Sequence, residues 1–411
     1  MIHSTHFPNG LRLITRTLPG IRSAALGVWL VNGVRHQQPE TNGYAHLLEH
    51  LLFKGTRELH GLDLAHRLDG FGGQVNAQTG RELTAFYGLV PSDDVAALLD
   101  LFIHMLLTPR FDDADVKTER SVILQEMAYV AADPEQAVEE YAISRAWDGH
   151  PLGWPLLGSQ SVIEDAESAS LRSYLQELLQ GNRLVVVAVG RVKHALLEAV
   201  CRLPGQLPAG AAPATSLPVF NSGSWMEHYP YAQSYCHWLL PVPAPSDKGY
   251  PALLVANHLL GGGTASRLFQ KLRESHGLSF AVQSQLEFYS DAGLWRIGAV
   301  CDPVRTKQCR QLVSDTLQQL LDEGPTQQEL SRAKRHLFAR LKLEQDNPHQ
   351  YMERLAREAL YRDYHPSEAE YRAWISDVSA EQIRQVLQSA WQQTLHVTWA
   401  PNAGEKQIKP R

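Results

Sequence analysis

NGYAHLLEHLLFKGT, residues 42–56, opens on a Gly-Tyr pair, carries leucines 47, 48, 51 and 52 in helical spacing, and stops at Gly55-Thr56. A second run begins at Gly249-Tyr250 and stops at Gly263-Thr264. Each follows a strand-like segment ending in Trp-Leu, at Trp29-Leu30 and at Trp238-Leu239. The later helices agree as well: FDDADVKTERSVILQEMAYVAADP from Phe111 and PTQQELSRAKRHLFARLKLEQDNP from Pro325 share a pattern and a closing proline. Duplication of one structural unit is the economical explanation.

Strand patterns at Leu11 to Arg16, Ala24 to Asn32, Leu83 to Val90 and Leu184 to Gly190 are mixed with helical patterns. The helical ones run from Gly43 to Leu52, Leu62 to Phe71, Asp93 to Leu107, Asp113 to Val130 and Glu135 to Trp147. The expected fold class is α+β, with two homologous units, each a mostly antiparallel sheet packed with helices. Between them Gly205 to Ser224 is crowded with Pro, Gly, Ala and Ser and reads as a linker. The expected domains are 1–204, the linker 205–224, and 225–411.

With 411 residues, 44% of them hydrophobic, the chain has enough apolar material for two cores. A net charge of −6 gives no general electrostatic grip on nucleic acid or acidic membranes. No apolar run is long enough to span a bilayer, and the N-terminus lacks a signal-peptide pattern, so a cytoplasmic protein is expected. The four cysteines lack CxxC spacing, which suggests reduced thiols and neither a disulfide framework nor a thiolate zinc site.

His46 and His50 lie four residues apart on one helical face with Glu49 beside them, so both imidazoles can reach one ion. Two imidazoles and a carboxylate among leucines need partners. A hydrolytic zinc site takes three protein ligands and leaves a position for water. Glu119 and Glu126, seven residues apart on the helix around TERSVILQEM, supply candidates: one can ligate while the other supports.

HLLEH followed by LLFKGT, GGQVNAQTGRELTAFYG, TERSVILQEM and HPLGWPLLGS resembles the pitrilysin, insulinase and mitochondrial processing peptidase family, zinc endopeptidases with the inverted H-x-x-E-H motif. The resemblance covers almost the whole chain, whose length is that of the family's short members. It implies one zinc ion per chain on His46, His50 and Glu126, with Glu119 as the supporting carboxylate and Glu49 as general base. It also implies an edge strand that pairs with an extended peptide, where Asn76, Ala77 and Thr84 stand at the matching positions. In the second half it implies an arginine and a tyrosine that reach the bound peptide; this sequence has Arg273 and, where the tyrosine is expected, Phe280. A phenyl ring cannot donate the hydrogen bond of a phenol. By the Gly-Tyr register His46, Glu49 and His50 fall opposite Ala252, Val255 and Ala256, and by the Pro134 and Pro348 register Glu126 falls opposite Arg340, so the second half is expected to bind no zinc.

The implied function is zinc-dependent cleavage of peptides or short unfolded segments. Short members resemble half of a clam-shell and pair with a second chain around a chamber. The expected partner is a homologous chain bearing the Arg/Tyr pair, or a second copy of this one, with no role for nucleic acid or membrane. A non-catalytic peptide-binding or assembly subunit is the alternative function.

Overall fold

The computed structural model describes residues 2–211 and 215–401. Residues 212–214 of the expected linker, and the ends of the two expected domains at 1 and 402–411, lie outside the described residues. The chain folds into two compact units, each formed from separate stretches of sequence.

The first unit comprises Met1–Tyr129, His150–Ser216 and Leu343–His365. Its six strands, β1 (Ile2–His6), β2 (Arg12–Thr17), β3 (Ser23–Leu30), β4 (Gln74–Thr79), β5 (Thr84–Pro91) and β6 (Leu184–Gly190), are ordered β1-β2-β6-β3-β5-β4. All neighbours are antiparallel except β2 and β6. β6, the valine-rich LVVVAVG, is buried throughout, because neighbouring strands and packed layers cover it on every side. One sheet face packs on α1 (Tyr44–Leu52), α2 (Gly61–Asp69) and α3 (Val95–Leu107) through residues such as Leu26, Leu47, Leu51, Leu64 and Phe102. The other face receives the helix Pro348–Tyr361, whose Tyr351, Met352 and Leu355 pack on Ile14, Trp29 and Val187.

The second unit comprises Val130–Gly149, Leu217–Lys342 and Pro366–Arg411. Its strands β7 (Gly223–His228), β8 (Ser234–Val242), β9 (Ser279–Phe288), β10 (Gly293–Cys301) and β11 (Leu395–Ala400) are ordered β7-β11-β8-β10-β9. Only β7 and β11 are parallel neighbours. One face packs on the helices Tyr250–Gly261 and Thr306–Glu323 around Trp238, Leu253 and Val313. Between the end of the first unit's α4 (Asp113–Ala132) and His150 lies α5 (Pro134–Ala146), which contacts β8 and β11.

The α+β class holds, but the compact units do not follow the continuous boundaries 1–204 and 225–411. One helix of each half of the sequence is counted in the unit of the other half: α5 in the second, Pro348–Tyr361 in the first. The linker is also shorter than 205–224. Ser216, whose carbonyl accepts from Arg35 Nη2 at 2.9 Å, is the last residue of its stretch in the first unit, and β7 begins at Gly223. The Trp-Leu register shifts by one as well. Trp29 packs under Pro348–Tyr361, whereas Trp238 lies in the main core of its unit, so the two tryptophans occupy opposite sheet faces.

Candidate metal centre

The entry to α1 is fixed by contacts that only glycine permits. Gly43 has φ +110°, and a Cβ there would stand 2.7 Å from Ile163 and 3.0 Å from the Cα of Gly158. Gln37 Oε1 accepts from the Gly43 amide at 3.1 Å, and Asn42 Oδ1 accepts from Ser159 Oγ at 3.0 Å. HPLGWPLLGS thereby acts as a brace for the helix start. Leu47, Leu48, Leu51 and Leu52 are buried, which fixes the helix rotation and brings His46 and His50 together with α4.

α4 buries Val116, Glu119 and Ile123. Glu126 follows on the same face, seven residues after Glu119. His46 Nε2 lies 3.1 Å from Glu126 Oε2, and His50 Nε2 lies 3.8 Å from that oxygen. Among the described residues this trio is the one group of His, Cys, Asp and Glu whose ligand atoms converge, all within 4.8 Å. Two atoms bound tetrahedrally to zinc at ordinary bond lengths stand about 3.3 Å apart. The observed spacings bracket that value, so the donor set fits such an ion.

The outer partners strengthen the fit. Glu119 Oε2 lies 2.9 Å from His50 Nδ1, and Lys54 Nζ stands 2.7 Å from the other oxygen. Burial opposes a charge on Glu119, yet the hydrogen bonds from Lys54 and His50 prevail and hold its carboxyl below the ordinary range. An ionised Glu119 can only accept, so His50 carries its proton on Nδ1 and turns the lone pair of Nε2 toward Glu126. Glu49, between the two histidines in sequence, accepts at 2.5 Å from the Thr79 hydroxyl, which anchors it to the end of β4.

Lys54 and Thr79 were not among the candidates from sequence. Lys54 follows His50 at helical spacing within LLFKGT, a signal that was there to be read. Thr79 had no comparable cue, being one polar residue of an edge strand.

Of the expected substrate residues, Asn76 is exposed and Ala77 half-buried on β4, which pairs with β5 alone. Asn76 Oδ1 accepts from the Ala77 amide at 2.9 Å. Thr84 is 1% exposed, and its hydroxyl donates to the Asn32 carbonyl at 3.0 Å. In the second unit Arg273 lies 4.9 Å over the Phe269 ring, and Phe280, on edge strand β9, is 65% exposed. Ala252, Val255 and Ala256, opposite the ligand positions, are buried in the second core and carry no ligand atom.

The chain matches the family Insulinase (Peptidase family M16) over residues 12–160 and the peptidase M16 inactive domain over residues 165–337. It is 34% identical to an uncharacterized zinc protease of Mycobacterium leprae, over 92% of this chain and 87% of that one. It is 30% identical to the mitochondrial-processing peptidase subunit beta of Blastocladiella emersonii, over 93% of this chain and 84% of that one. A protease from Helicobacter pylori has the same fold, with a TM-score of 0.90 at 20% identity over 98% of this chain and 99% of that one. Sequence and fold agree that the chain belongs to the insulinase family of peptidases, family M16.

Proposed function

We propose that this chain is a zinc-dependent endopeptidase acting on peptides or short unfolded segments, with His46, His50 and Glu126 as ligands and Glu49 as general base. The observation that carries this reading is the convergence of two imidazoles and a carboxylate, one imidazole being oriented by Glu119 and Lys54. The names of the similar zinc proteases support the metal. When bound, the ion supplies Lewis acidity that makes water a nucleophile near neutral pH and polarises a peptide carbonyl. Glu49 accepts the proton that the attacking water loses and can return it to the departing amine. Thr79, by hydrogen bonding one carboxylate oxygen, keeps Glu49 in place for both transfers. The open side of β4 suits an extended peptide, whose backbone can pair there whatever its side chains. For Ala77 to donate to such a strand, Asn76 must release its amide.

Glu49→Gln is the decisive variant. It should retain zinc at the parent stoichiometry and lose peptide turnover, and parental turnover would refute the assignment. A chain without stoichiometric zinc would favour the non-catalytic alternative, although a His2Glu set also accepts cobalt or manganese.

The exposed Phe280 supports a second part of the proposal: the missing phenol comes from a homologous partner chain bearing Arg and Tyr. The similar mitochondrial-processing peptidase sequences, named as beta subunits, are in keeping with a paired assembly. The isolated chain should then cleave slowly, and the partner should raise the rate by about a hundredfold. Robust cleavage by the chain alone, little altered in Phe280→Tyr, would favour a homodimer.

A further inference from the structure

Three of the chain's four cysteines meet in the core of the second unit, a cluster the metal centre does not use. Cys236 lies on β8 opposite Ala299 of β10, and Cys301 follows Ala299 by two residues, so both thiols leave the same face of the sheet. Cys309 joins them from the helix Thr306–Glu323, which packs on that face. Each of the three side chains hydrogen-bonds with the other two.

The first unit has the same three positions. There Leu26 of β3 lies opposite Gly88 of β5, Val90 follows Gly88 by two residues, and Leu98 follows Val90 by eight, as Cys309 follows Cys301. Leu26, Val90 and Leu98 are buried in the first core. One copy of the fold therefore fills this contact with three aliphatic side chains and the other with three thiols. Packing needs no sulfur at any of the three, as the first copy shows, and what adjoining thiols add is reactivity.

The cluster is also asymmetric. Cys301 is the last residue of β10, at a bulge where the register with β9 shifts, and Asp302 after it is exposed. Cys236 and Cys309 are 0% exposed, deeper in the core. Hydrogen bonds from Cys236 and Cys309 hold the Cys301 thiol below the ordinary range, against its burial, while the bond to Cys301 helps push the Cys236 thiol up. Cys301 is thus the thiolate of the group and the sulfur nearest the rim.

We infer that the trio is an oxidation site for hydrogen peroxide, with Cys301 as the reacting sulfur and Cys236 or Cys309 as the thiol that closes a disulfide with it. The Cys301 thiolate attacks one peroxide oxygen: an S–O bond forms, the O–O bond breaks, and the hydroxide that leaves takes a proton from solvent to become water. Sulfur gives up two electrons and the peroxide gains them. The neighbouring thiol then loses its proton and attacks the sulfenic sulfur. An S–S bond forms, the S–O bond breaks, and the departing hydroxide takes that proton as a second water. The site stands apart from the proposed peptidase function, and its test reads no cleavage.

The test treats the reduced full-length chain with a small excess of hydrogen peroxide, removes the excess with catalase, and counts thiols with a chromogenic reagent after unfolding. Unreduced peptides are then mapped by mass spectrometry. Cys201, in the first core with its thiol pushed up to about 12 by burial, is the internal control. Two thiols should disappear, a disulfide should join Cys301 to Cys236 or Cys309, Cys201 should stay free, and dithiothreitol should restore all four. Cys301→Val, which gives the second core the residue the first has there, and Cys301→Ser should each slow the loss by about tenfold or more. Their melting temperatures identify a folded variant, and one is enough. Loss of thiols at the parental rate in a folded variant, a Cys201 that reacts as fast as the trio, or four intact thiols after a dose that oxidises free cysteine would overturn the inference. Sulfinic acid at Cys301 without a disulfide would overturn the closing step.

Discussion

Glu119→Gln isolates the part of the site that orients a ligand without touching the ion. Glu119 is 4% exposed and divides its two oxygens between His50 Nδ1 at 2.9 Å and Lys54 Nζ at 2.7 Å. Glutamine preserves the shape and removes the charge. Its carboxamide oxygen will take the Lys54 ammonium, which leaves the NH2 group facing His50 Nδ1. That nitrogen must then accept, and the proton moves to Nε2, the atom aimed at Glu126. A protonated Nε2 has no lone pair for a metal. Partners of this kind are worth about tenfold to a hundredfold in metal affinity, roughly 1.4 to 2.7 kcal/mol. The assay is the zinc dissociation constant by competition with a chromophoric chelator, with the melting temperature of the metal-free chain as a control for folding. A zinc affinity within about twofold of the parent, in a folded variant, would refute the tautomer argument.

Two further outcomes follow from the packing and from the buried histidines. A fragment ending at residue 204 lacks Pro348–Tyr361 and so exposes Ile14, Trp29 and Val187; it should aggregate when expressed alone and become soluble with a fragment from 225, and a soluble monomer of the first fragment would contradict the helix assignment. His36, His237 and His396 have pKa values lowered to about 4, each chiefly by burial, so their neutral forms contribute stability that is complete above about pH 6.5 and declines as pH falls toward 4. The melting temperature should fall across that window, and a flat or rising profile would refute the assignment.

What the sequence made legible was whatever a single segment determines. β6 announced itself because a buried strand is apolar at every position, and α1 because four leucines fix its buried face. β1, IHSTH, was not recognised, and β4, QVNAQT, was reached only through the family resemblance, since edge strands keep polar residues and one ladder of hydrogen bonds. His46, Glu49 and His50 could be read from helical spacing alone. The choice between Glu119 and Glu126 needed the family resemblance, because a helix face records that two carboxylates align and not which one meets the imidazoles. The destination of Pro348–Tyr361 was hidden for a similar reason: Tyr351, Met352 and Leu355 mark an apolar face, but nothing local says which sheet it covers.

The apolar residues at the matching positions of the second unit follow from the same logic of burial. Ala252, Val255 and Ala256 are at most 3% exposed, in a core that already excludes water. Imidazoles or a carboxylate there would need partners from the neighbouring helix, and Arg340 stands where Glu126 stands in the first unit. In the first unit His46 is 9% exposed and is tolerated because Glu126 meets it, while Glu119 and Lys54 provide for His50. The two histidines and the two glutamates are therefore one energetic unit. Without the imidazoles the buried Glu119 keeps only Lys54, and without the glutamates His46 and His50 lose their partners; the helix Tyr250–Gly261 of the second unit carries Ala252, Val255 and Ala256 at the matching positions.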